Sequence, residues 1–381
     1  MLKNKIYNYI AKEIAKSFIT ILFTFTAIAW TVRAVNFLDL MVEDGYSVGI
    51  YLQYSLFNLS SIVTKFIPLA FLLALIISVL KLERNQELIV LWTSGVNKIK
   101  IANLLLLIAL FVTIIQIFLA LFVTPSTLNL SRDLLRNSNL MQVSSIIKTG
   151  DFSDSFKNIT FYVEKKNDKG EMINIFIRDE SNSLSTIISE TDGASNTTIV
   201  AKKGLILQNK LVLFDGFFQS QDKLGKIKNV NFKKTEMAID NFSTRTITSP
   251  KMQETSSYVL LQCLLNKNYS NIIIANCPFS KNKKEVVQNL SRRLGMPLYI
   301  PLISIIASFL LVYKKEKKFN FLKKYIFFLL GFFVLIFAEI MVRFSGISLT
   351  NFIIYFLFPI ILMPIIYILL LKTIMSESKI Q

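Results

Sequence analysis

The sequence contains no histidine, only two cysteines and few charged residues, which make up 18% of its 381 positions. The absence of histidine excludes Ser-His-Asp triads, histidine metal sites and histidine acid–base catalysis. Two cysteines exclude a small scaffold held together by disulfides. The low charge, with 52% hydrophobic residues and a mean hydropathy of +0.50, argues against an ordinary cytosolic enzyme. The net charge of +18 is typical of a nucleic-acid binder or an inner-membrane protein.

Six apolar stretches are long enough to cross a bilayer, for which a helix needs roughly 20 residues. They lie at approximately 17–38, 54–80, 101–124, 296–313, 325–343 and 352–371. Lysines precede the first stretch, as in a signal peptide, but its apolar run is too long and no small-residue cleavage motif follows it. We therefore interpret the first stretch as a retained signal-anchor helix.

The distribution of basic residues predicts the topology. The short loops 81–100 and 314–324 are rich in Lys and Arg, whereas 39–49 and 344–351 contain neither. By the positive-inside rule both termini are cytoplasmic and the long insert after the third span is periplasmic, in a multi-pass protein of the bacterial inner membrane. The cations follow the membrane edges and not one aromatic-rich face, so nucleic acid is not an expected partner.

The insert has the period-two pattern of β-strands. Residues 159–164 and 173–178 form the clearest pair, and further runs occur at 185–189, 197–201, 204–207, 211–218, 227–232 and 235–239. Short strands at this spacing predict an antiparallel sandwich or jelly roll. The expected fold class is an α-helical membrane protein with six transmembrane helices (3+3) and an inserted all-β periplasmic jelly-roll-like domain. The expected domains are 1–124, 125–293 with a helical return segment, and 294–381.

The cytoplasmic loop between the second and third spans contains a candidate interaction helix, near 83–96. Leu88, Leu91 and Trp92 have helical spacing, and Gly95 can end the helix. Such a helix can lie on the bilayer or dock into a partner protein. Its leading residues, Glu83 and Glu87, favour docking because a membrane-lying helix is typically rich in cations.

The run 27–95 resembles the lipopolysaccharide export permeases of the LptF/LptG (YjgP/YjgQ) family. The residues that carry the resemblance are Asn36-Phe37-Leu38-Asp39-Leu40, Gly45, Gly49, Phe66-Ile67-Pro68-Leu69-Ala70, and Glu87-Leu88 with Gly95. The arrangement of three helices, a β-rich insert and three helices is similar as well. Within the family, the stretch from Trp30 to Gly95 is closer to the LptF-type subunit.

The resemblance implies a transport subunit and not an enzyme. Family members extract lipopolysaccharide from the inner membrane and pass it to a periplasmic jelly-roll bridge protein, together with a paralogous LptG-type six-helix permease and a cytoplasmic ATPase dimer. The residues implied in ATPase coupling are Glu83, Glu87, Leu88, Leu91, Trp92 and Gly95. The chain contains no GxxxxGK[ST] motif, so we expect ATP and Mg²⁺ on the ATPase and no cofactor on this chain.

Charged residues within the spans are costly and need a reason. Arg33 and Lys65 can bind the phosphates of a lipopolysaccharide, or they can extend to the membrane interface. Arg343 can line a lateral gate, as the resemblance implies, or pair with Glu339 four residues earlier on the same helix. Arg292 and Arg293 are interpreted as interface anchors.

Several alternatives stay open at this stage. Cys263 and Cys277 can form a disulfide or remain two thiols, and no metal-binding or catalytic residues are expected. A periplasmic receptor or scaffold anchored in the inner membrane is one alternative function. A membrane-embedded enzyme acting on lipid-linked sugar is another, for which Asp39, Glu43 and Asp44 are the acidic group available.

Overall fold

The computed structural model describes residues 2–42, 46–139, 149–156, 159–167, 170–180, 194–207, 210–222, 227–238, 251–265, 283–312 and 317–378. The chain separates into two compact units. The helical unit comprises Met1–Val32, Phe57–Asn129 and Lys251–Gln381, and the sheet-containing unit comprises Arg33–Leu56 and Leu130–Pro250. The segment that follows the sheet therefore groups with the helices.

The helices before the sheet include α1 to α7. Their bounds are α1 Leu2–Asn36, α2 Asp39–Val42, α3 Val48–Phe57, α4 Leu59–Arg84, α5 Glu87–Thr93, α6 Lys98–Phe118 and α7 Thr124–Asn139. A π-helical turn, Leu119–Val123, joins α6 to α7. The helices after the sheet are α8 Ser257–Leu265, α9 Lys283–Gly295, α10 Tyr299–Ser308, α11 Lys317–Ser345 and α12 Leu349–Ser378.

The described residues include six helical segments long and apolar enough to cross a membrane, which confirms the six predicted spans. These segments are Lys5–Met41, Val48–Arg84, Lys98–Leu135, Lys283–Leu311, Tyr325–Ser345 and Leu349–Glu377. Each is longer than or similar to the apolar stretch that predicted it, because polar turns extend several of the helices at their ends.

Helix α10 is the centre of the helical unit. All ten of its residues are buried, and its apolar side chains pack against α4, α6, α11 and α12. The turn before α10 is held close to α12: a Cβ at Gly295 would lie 2.1 Å from a ring carbon of Tyr355. Glycine is therefore required at position 295, and the Tyr299 hydroxyl bonds the Tyr355 carbonyl beside it.

The insert contains one antiparallel sheet whose described strands follow the order of the sequence, β1 to β6. The strands are β1 Phe152–Phe156, β2 Ile159–Lys166, β3 Met172–Asp179, β4 Ala194–Leu207, β5 Lys210–Asp222 and β6 Ile227–Ala238. The prediction of a helical membrane protein with an inserted β domain is confirmed. The Greek-key connection of a closed jelly roll is not among the described connections, and the predicted run 185–189 lies outside the described residues.

Strand β4 is longer than predicted. The sequence predicted two separate runs, 197–201 and 204–207, but one strand continues through Lys203 and Gly204, paired to β3 and β5. A Cβ at Gly204 would lie 2.3 Å from the Ile175 side chain on β3. The glycine therefore allows close packing inside the sheet and does not end a strand.

The two faces of the sheet differ. One face forms an apolar core that includes Phe161, Ile177 and Ile199. On the opposite face Phe152, Tyr162 and Phe176 are cross-strand neighbours on β1, β2 and β3. The ring centroids of Phe152 and Tyr162 are 4.9 Å apart, so these aromatic pairs stabilise the edge of the sheet where β1 lies.

Candidate functional site

A cavity of about 410 Å³ lies within the helical unit, between α4, the α6–α7 helix, α9 and α11. Its polar and charged lining residues are Ser61, Thr64, Lys65, Gln116, Thr124, Gln253, Asn289, Arg292, Arg293 and Glu339. Its apolar lining residues are Pro68, Leu69, Ala120, Leu128, Met296, Phe332, Leu335 and Ile336. Charged groups and a continuous apolar wall therefore share one space, as in sites for amphiphilic ligands.

Pro68 shapes the α4 wall of this cavity. Proline has no N–H, so the carbonyl of Thr64, four residues earlier, loses its helical hydrogen bond. The side-chain amide of Gln116 on α6 donates to that carbonyl instead, over 3.3 Å. Gln116 is only 3% exposed, and its Oε1 has no hydrogen-bond partner among the described residues. The contact that satisfies the Thr64 carbonyl thus leaves the Oε1 acceptor of Gln116 buried at the cavity wall.

Hydroxyl groups join α4 to the α6–α7 helix beside Gln116. Ser60 hydrogen bonds Thr127, and the Thr64 hydroxyl lies 3.4 Å from that of Thr124. The hydroxyls of Thr64 and Thr127 also donate to backbone carbonyls of the preceding turn, those of Ser60 and Val123. This polar seam fixes the two helices against each other where an apolar span would otherwise offer only packing contacts.

Arg292 and Glu339 form an ion pair across the cavity between α9 and α11. One guanidinium nitrogen, Nη2, donates to Oε1 of Glu339. This contact corrects the interpretation of a pair between Glu339 and Arg343: Glu339 uses a partner from another helix. The interpretation of Arg292 as an interface anchor is corrected as well, because its side chain lines the cavity.

Arg293 is buried, with 7% of its surface exposed, and is not an interface anchor either. Its Nη2 donates to the carbonyls of Met252, Gln253 and Thr255, and its Nη1 donates to Ser257 Oγ over 2.7 Å. The Ser257 hydroxyl in turn donates to the Leu121 carbonyl in the π-helical turn. These bonds, which we name the Arg293 clasp, join α9, the segment 252–257 and the end of α6.

The three cations predicted to contact substrate occupy different places. Lys65 lines the cavity described above. Arg343 is exposed and lines a neighbouring hollow of about 610 Å³ that also includes Arg292 and Gln288. Arg33, near the end of α1, is half-buried and belongs to the sheet-containing unit. The structure therefore brings Lys65 and Arg292 to one cavity, and Arg292 was not among the predicted substrate residues.

The second candidate site is α5, the predicted interaction helix. Gln86 begins it with a φ of +59°, and Gly95 follows its end with a φ of +77°, where its N–H bonds the Trp92 carbonyl. Leu88 is buried, and Leu91 and Trp92 pack against the core of the helical unit. These three residues therefore hold α5 in place, and the exposed apolar residues are Ile89 and Val90.

Polar contacts tie the α5 region to the first and last helices. Asn85 donates to the Glu87 carboxylate, which is also hydrogen bonded to Tyr9 on α1. Lys81 on α4 pairs with Glu13 of α1. Lys98 pairs with Glu377 of α12 over 2.5 Å, and its ammonium lies 5.4 Å from the centre of the Trp92 ring. Movement of α5 would therefore act on several helices at once.

The remaining predicted positions are the acidic residues after the first span and the two cysteines. Within the part of the chain that the structure describes, no group of three acidic or cysteine residues could hold a metal ion. Glu43, Asp44, Gly45 and Cys277 lie outside the described residues, so the pairing of Cys263 with Cys277 stays a prediction.

The sequence reasoning missed Gln116, although a signal was present. A glutamine within an apolar span needs a partner, and Pro68 on the preceding span frees a carbonyl. The two facts together could have predicted their contact. Ser257 carried no comparable signal, since its partners come from distant parts of the sequence.

Comparisons with known proteins give two matches. The family described as "Lipopolysaccharide export system permease LptF/LptG" matches residues 8–373, nearly the whole chain. An uncharacterized protein of Rickettsia prowazekii (strain Madrid E) is 24% identical over 318 residues, which cover 82% of this chain and 83% of the relative. The family match does not separate LptF-type from LptG-type subunits.

Proposed function

Because this chain belongs to the LptF/LptG family of lipopolysaccharide export permeases, we propose that it is the LptF-type half of an ATP-driven exporter. As a family member it is a multi-pass inner-membrane transport component and not an enzyme. The observation that carries the finer proposal is α5. This short helix lies between two spans, is anchored by Leu88 in the helical core and exposes Ile89 and Val90.

The proposed orientation places α5 in the cytoplasm and the β insert in the periplasm. It rests on the basic loops 81–100 and 314–324 and on the loops without cations, 39–49 and 344–351. In this orientation the cavity lies near the periplasmic ends of α4 and α11, because Lys65 is in the second turn of α4 and α5 follows the far end of that helix.

The proposed energy source is a separate ATPase dimer that docks on α5. The exposed Ile89 and Val90 supply an apolar contact, and Glu87 supplies a charge for a basic group on the partner. The buried Leu88 and the pairs Lys81–Glu13 and Lys98–Glu377 would pass a displacement of α5 to α1, α4 and α12. ATP hydrolysis could thereby reshape the helical unit without nucleotide on this chain.

The proposed route for the substrate leads from the helical unit, paired with an LptG-type permease, to the β insert and then to a periplasmic bridge protein. At the edges of the described sheet, β1 and β6 each pair with one neighbour. An edge strand can add a strand from another β-domain. One of these edges is therefore the proposed contact with the bridge.

The first experiment tests which proteins and lipids form a complex with this chain. The chain is purified from its native membrane in mild detergent, and the proteins and lipids that accompany it are identified by mass spectrometry. The proposal expects a second six-helix permease, an ATPase subunit and lipopolysaccharide. A chain accompanied by periplasmic proteins alone would favour the receptor alternative.

The second experiment tests coupling through Glu87. Glu87→Ala should lower ATP-dependent release of lipopolysaccharide from proteoliposomes about tenfold or more, since it removes a charge-assisted contact at the ATPase interface. Glu164→Ala is the matched control, because it removes the same group from an exposed position on β2 and leaves α5 and its ion pairs unchanged. Normal release by the Glu87 variant, with wild-type ATPase binding, would remove the coupling role.

A further inference from the structure

We propose that α8, Ser257–Leu265, is an interfacial helix whose outer face, formed by Tyr258 and Leu261, lies among the lipids of the membrane. The partner is the lipid surface, with its headgroups and the first methylenes of its acyl chains. In the orientation proposed above this surface is the periplasmic leaflet. The inference goes beyond the proposed function, because it concerns a membrane contact outside the six spans and does not depend on transport.

Helix α8 has an unusual composition for a helix outside the spans. Its nine residues, Ser-Tyr-Val-Leu-Leu-Gln-Cys-Leu-Leu, include five leucines or valines and no charged side chain. A helix that is apolar all round its axis lies in a protein core or in a membrane. The burial of the individual side chains shows which of these environments each side of α8 occupies.

The protein covers one side of α8 and leaves the other side open. Leu260 is buried in an apolar cluster that includes residues of α9. On the other side Tyr258 is 69% exposed and Leu261 is 47% exposed. These two residues are three positions apart and therefore share one helical face. The open face of α8 is thus as apolar as the covered one.

Helix α9, which packs against α8, shows the pattern of a water-facing side in the same region. Lys283, Lys284 and Glu285 are exposed at its start, whereas Val286 and Leu290 are buried in the cluster that it shares with α8. This alternation is typical of an amphipathic helix at a protein surface. Since the open side of α8 has no such charged residues, it is not adapted to water.

A hydrogen bond fixes the position of α8 along the third span, Lys98–Leu135. The hydroxyl of Ser257, the first residue of α8, donates to the Leu121 carbonyl in the π-helical turn over 2.9 Å. Leu121 lies near the end of the apolar stretch 101–124, where a span leaves the hydrocarbon core for the polar interface. Helix α8 therefore begins at the depth of the membrane interface.

The same hydrogen bond places the open face of α8 beside a surface that faces lipid. Phe122 follows Leu121 in the chain and is 61% exposed, and Phe118, one turn earlier, is 57% exposed. Exposed apolar side chains of a membrane span contact lipid. Because Tyr258 follows Ser257, Tyr258 and Phe122 are each one residue from an end of the bond. The apolar surface thus continues from the third span onto α8.

The two outer residues are chemically suited to an interface. A tyrosine ring can lie among the first methylenes while its hydroxyl bonds headgroups, and tyrosine is enriched at membrane interfaces for this reason. Isolated membrane-lying helices also have cations on a side that faces water. Helix α8 needs none, because protein covers the side that faces away from lipid. Lipid contact would hold the Arg293 clasp, which includes Ser257, at a constant depth.

Spin-label accessibility tests the proposal on the full chain, co-purified with its partners and held in nanodiscs of phosphatidylethanolamine and phosphatidylglycerol. A keto amino acid, introduced at one position at a time, carries the nitroxide, so that both native cysteines stay unlabelled. Collisions with oxygen, which concentrates in the bilayer, are compared with collisions with a nickel chelate, which stays in water. The test positions are Tyr258 and Leu261, with Lys284 as the water-facing control and Phe122 as the lipid-facing control.

The proposal expects a ratio of oxygen to nickel collisions that is severalfold higher at Tyr258 and Leu261 than at Lys284, and close to the ratio at Phe122. Elution of each labelled chain as one sharp peak in size-exclusion chromatography shows that it is folded.

A second measurement uses the unmodified chain, so that no substitution can disturb the fold. Lipids with a diazirine on the first acyl carbons are photolysed in the same nanodiscs, and the adducts are mapped by peptide mass spectrometry. Adducts should form on α8 and on the third span, and those on Lys283, Lys284 and Glu285 should be severalfold fewer.

Three results would overturn the proposal. Nickel collisions at Tyr258 and Leu261 as frequent as at Lys284 would place the open face in water. Rare collisions with both reagents would show that a protein partner covers it. Absence of lipid adducts on α8 in the unmodified chain would exclude the contact directly. Because neither measurement uses nucleotide or lipopolysaccharide, failure of this proposal leaves the export function standing, and failure of export leaves the membrane contact standing.

Discussion

The two ends of the helical unit use polar groups in different ways. At the cavity end, Gln116 and Arg293 donate to backbone carbonyls, and Arg292 pairs with Glu339. At the α5 end, roughly 30 Å away along α4, ion pairs match Lys81 with Glu13 and Lys98 with Glu377.

The two ends are therefore stabilised by different kinds of polar contact. Interhelical ion pairs at the α5 end neutralise charge and join α1, α4, α6 and α12. At the cavity end, hydrogen bonds from Gln116 and Arg293 to backbone carbonyls maintain the structure. Loss of a polar group at the cavity end should therefore cost more stability when the group bonds the backbone than when it forms the exposed pair of Arg292 with Glu339.

The largest expected effect is that of Arg293→Leu, which breaks the clasp. The substitution leaves three carbonyls and Ser257 without their donor and should lower the free energy of unfolding by roughly 3 kcal/mol or more. The neighbouring variant Arg292→Leu should cost less than about 1 kcal/mol, since it breaks an exposed pair. Thermal unfolding of the detergent-purified chain measures both. Similar losses of stability for Arg293→Leu and Arg292→Leu would contradict the distinction between hydrogen bonds to the backbone and the exposed ion pair.

A smaller effect is expected from Gln116→Leu, which leaves the Thr64 carbonyl without a donor. The cost should be about 1–2 kcal/mol. In a Pro68→Ala background the alanine N–H can bond the same carbonyl, so the Gln116 substitution should cost clearly less there. A double-mutant cycle on thermal stability measures this coupling. If the stability losses of Gln116→Leu and Pro68→Ala were additive, Gln116 would not replace the hydrogen bond that Pro68 removes from the Thr64 carbonyl.

The smallest effects are expected at the α5 end. Lys98→Met should cost about 1–2 kcal/mol, because Lys98 and Glu377 are both about 15% exposed and removal leaves a partly buried carboxylate. Lys81→Met should cost less than Lys98→Met, since Lys81 is 51% exposed. Urea titration of the purified chain can rank the two variants by their loss of stability. A larger loss for Lys81→Met would show that the Lys81–Glu13 pair, and not the Lys98–Glu377 pair, contributes more stability at the α5 end.

The sequence predicted those features that depend on local pattern. The six spans follow from apolar length, and α5 follows from the spacing of Leu88, Leu91 and Trp92. The same spacing suggested that these residues face a partner, because amphipathicity identifies an apolar side without identifying what covers it. In the structure the protein's own core covers that side.

Features that depend on contacts between distant segments could not be predicted in this way. Glu339 and Arg343 have the spacing of an intrahelical pair, but α9 brings Arg292 to Glu339 from 47 positions earlier. Strand β1 was missed because Phe152–Phe156 contains three polar residues between two phenylalanines and is paired only at the sheet edge. The contact of Phe152 with Tyr162 on β2 and Phe176 on β3 can be identified only once the pairing register of the three strands is known.

The Arg293 clasp has a consequence for the order of assembly during synthesis. The Gln116–Thr64 bond spans 52 positions and can form as soon as α6 is made, whereas Leu121 and Ser257 are 136 positions apart. At about 5–20 residues per second, the ribosome needs about 7 to 27 seconds to deliver Ser257 after Leu121. The first three spans must therefore wait in the membrane as a separate intermediate, and a chaperone or insertase has that interval in which to act.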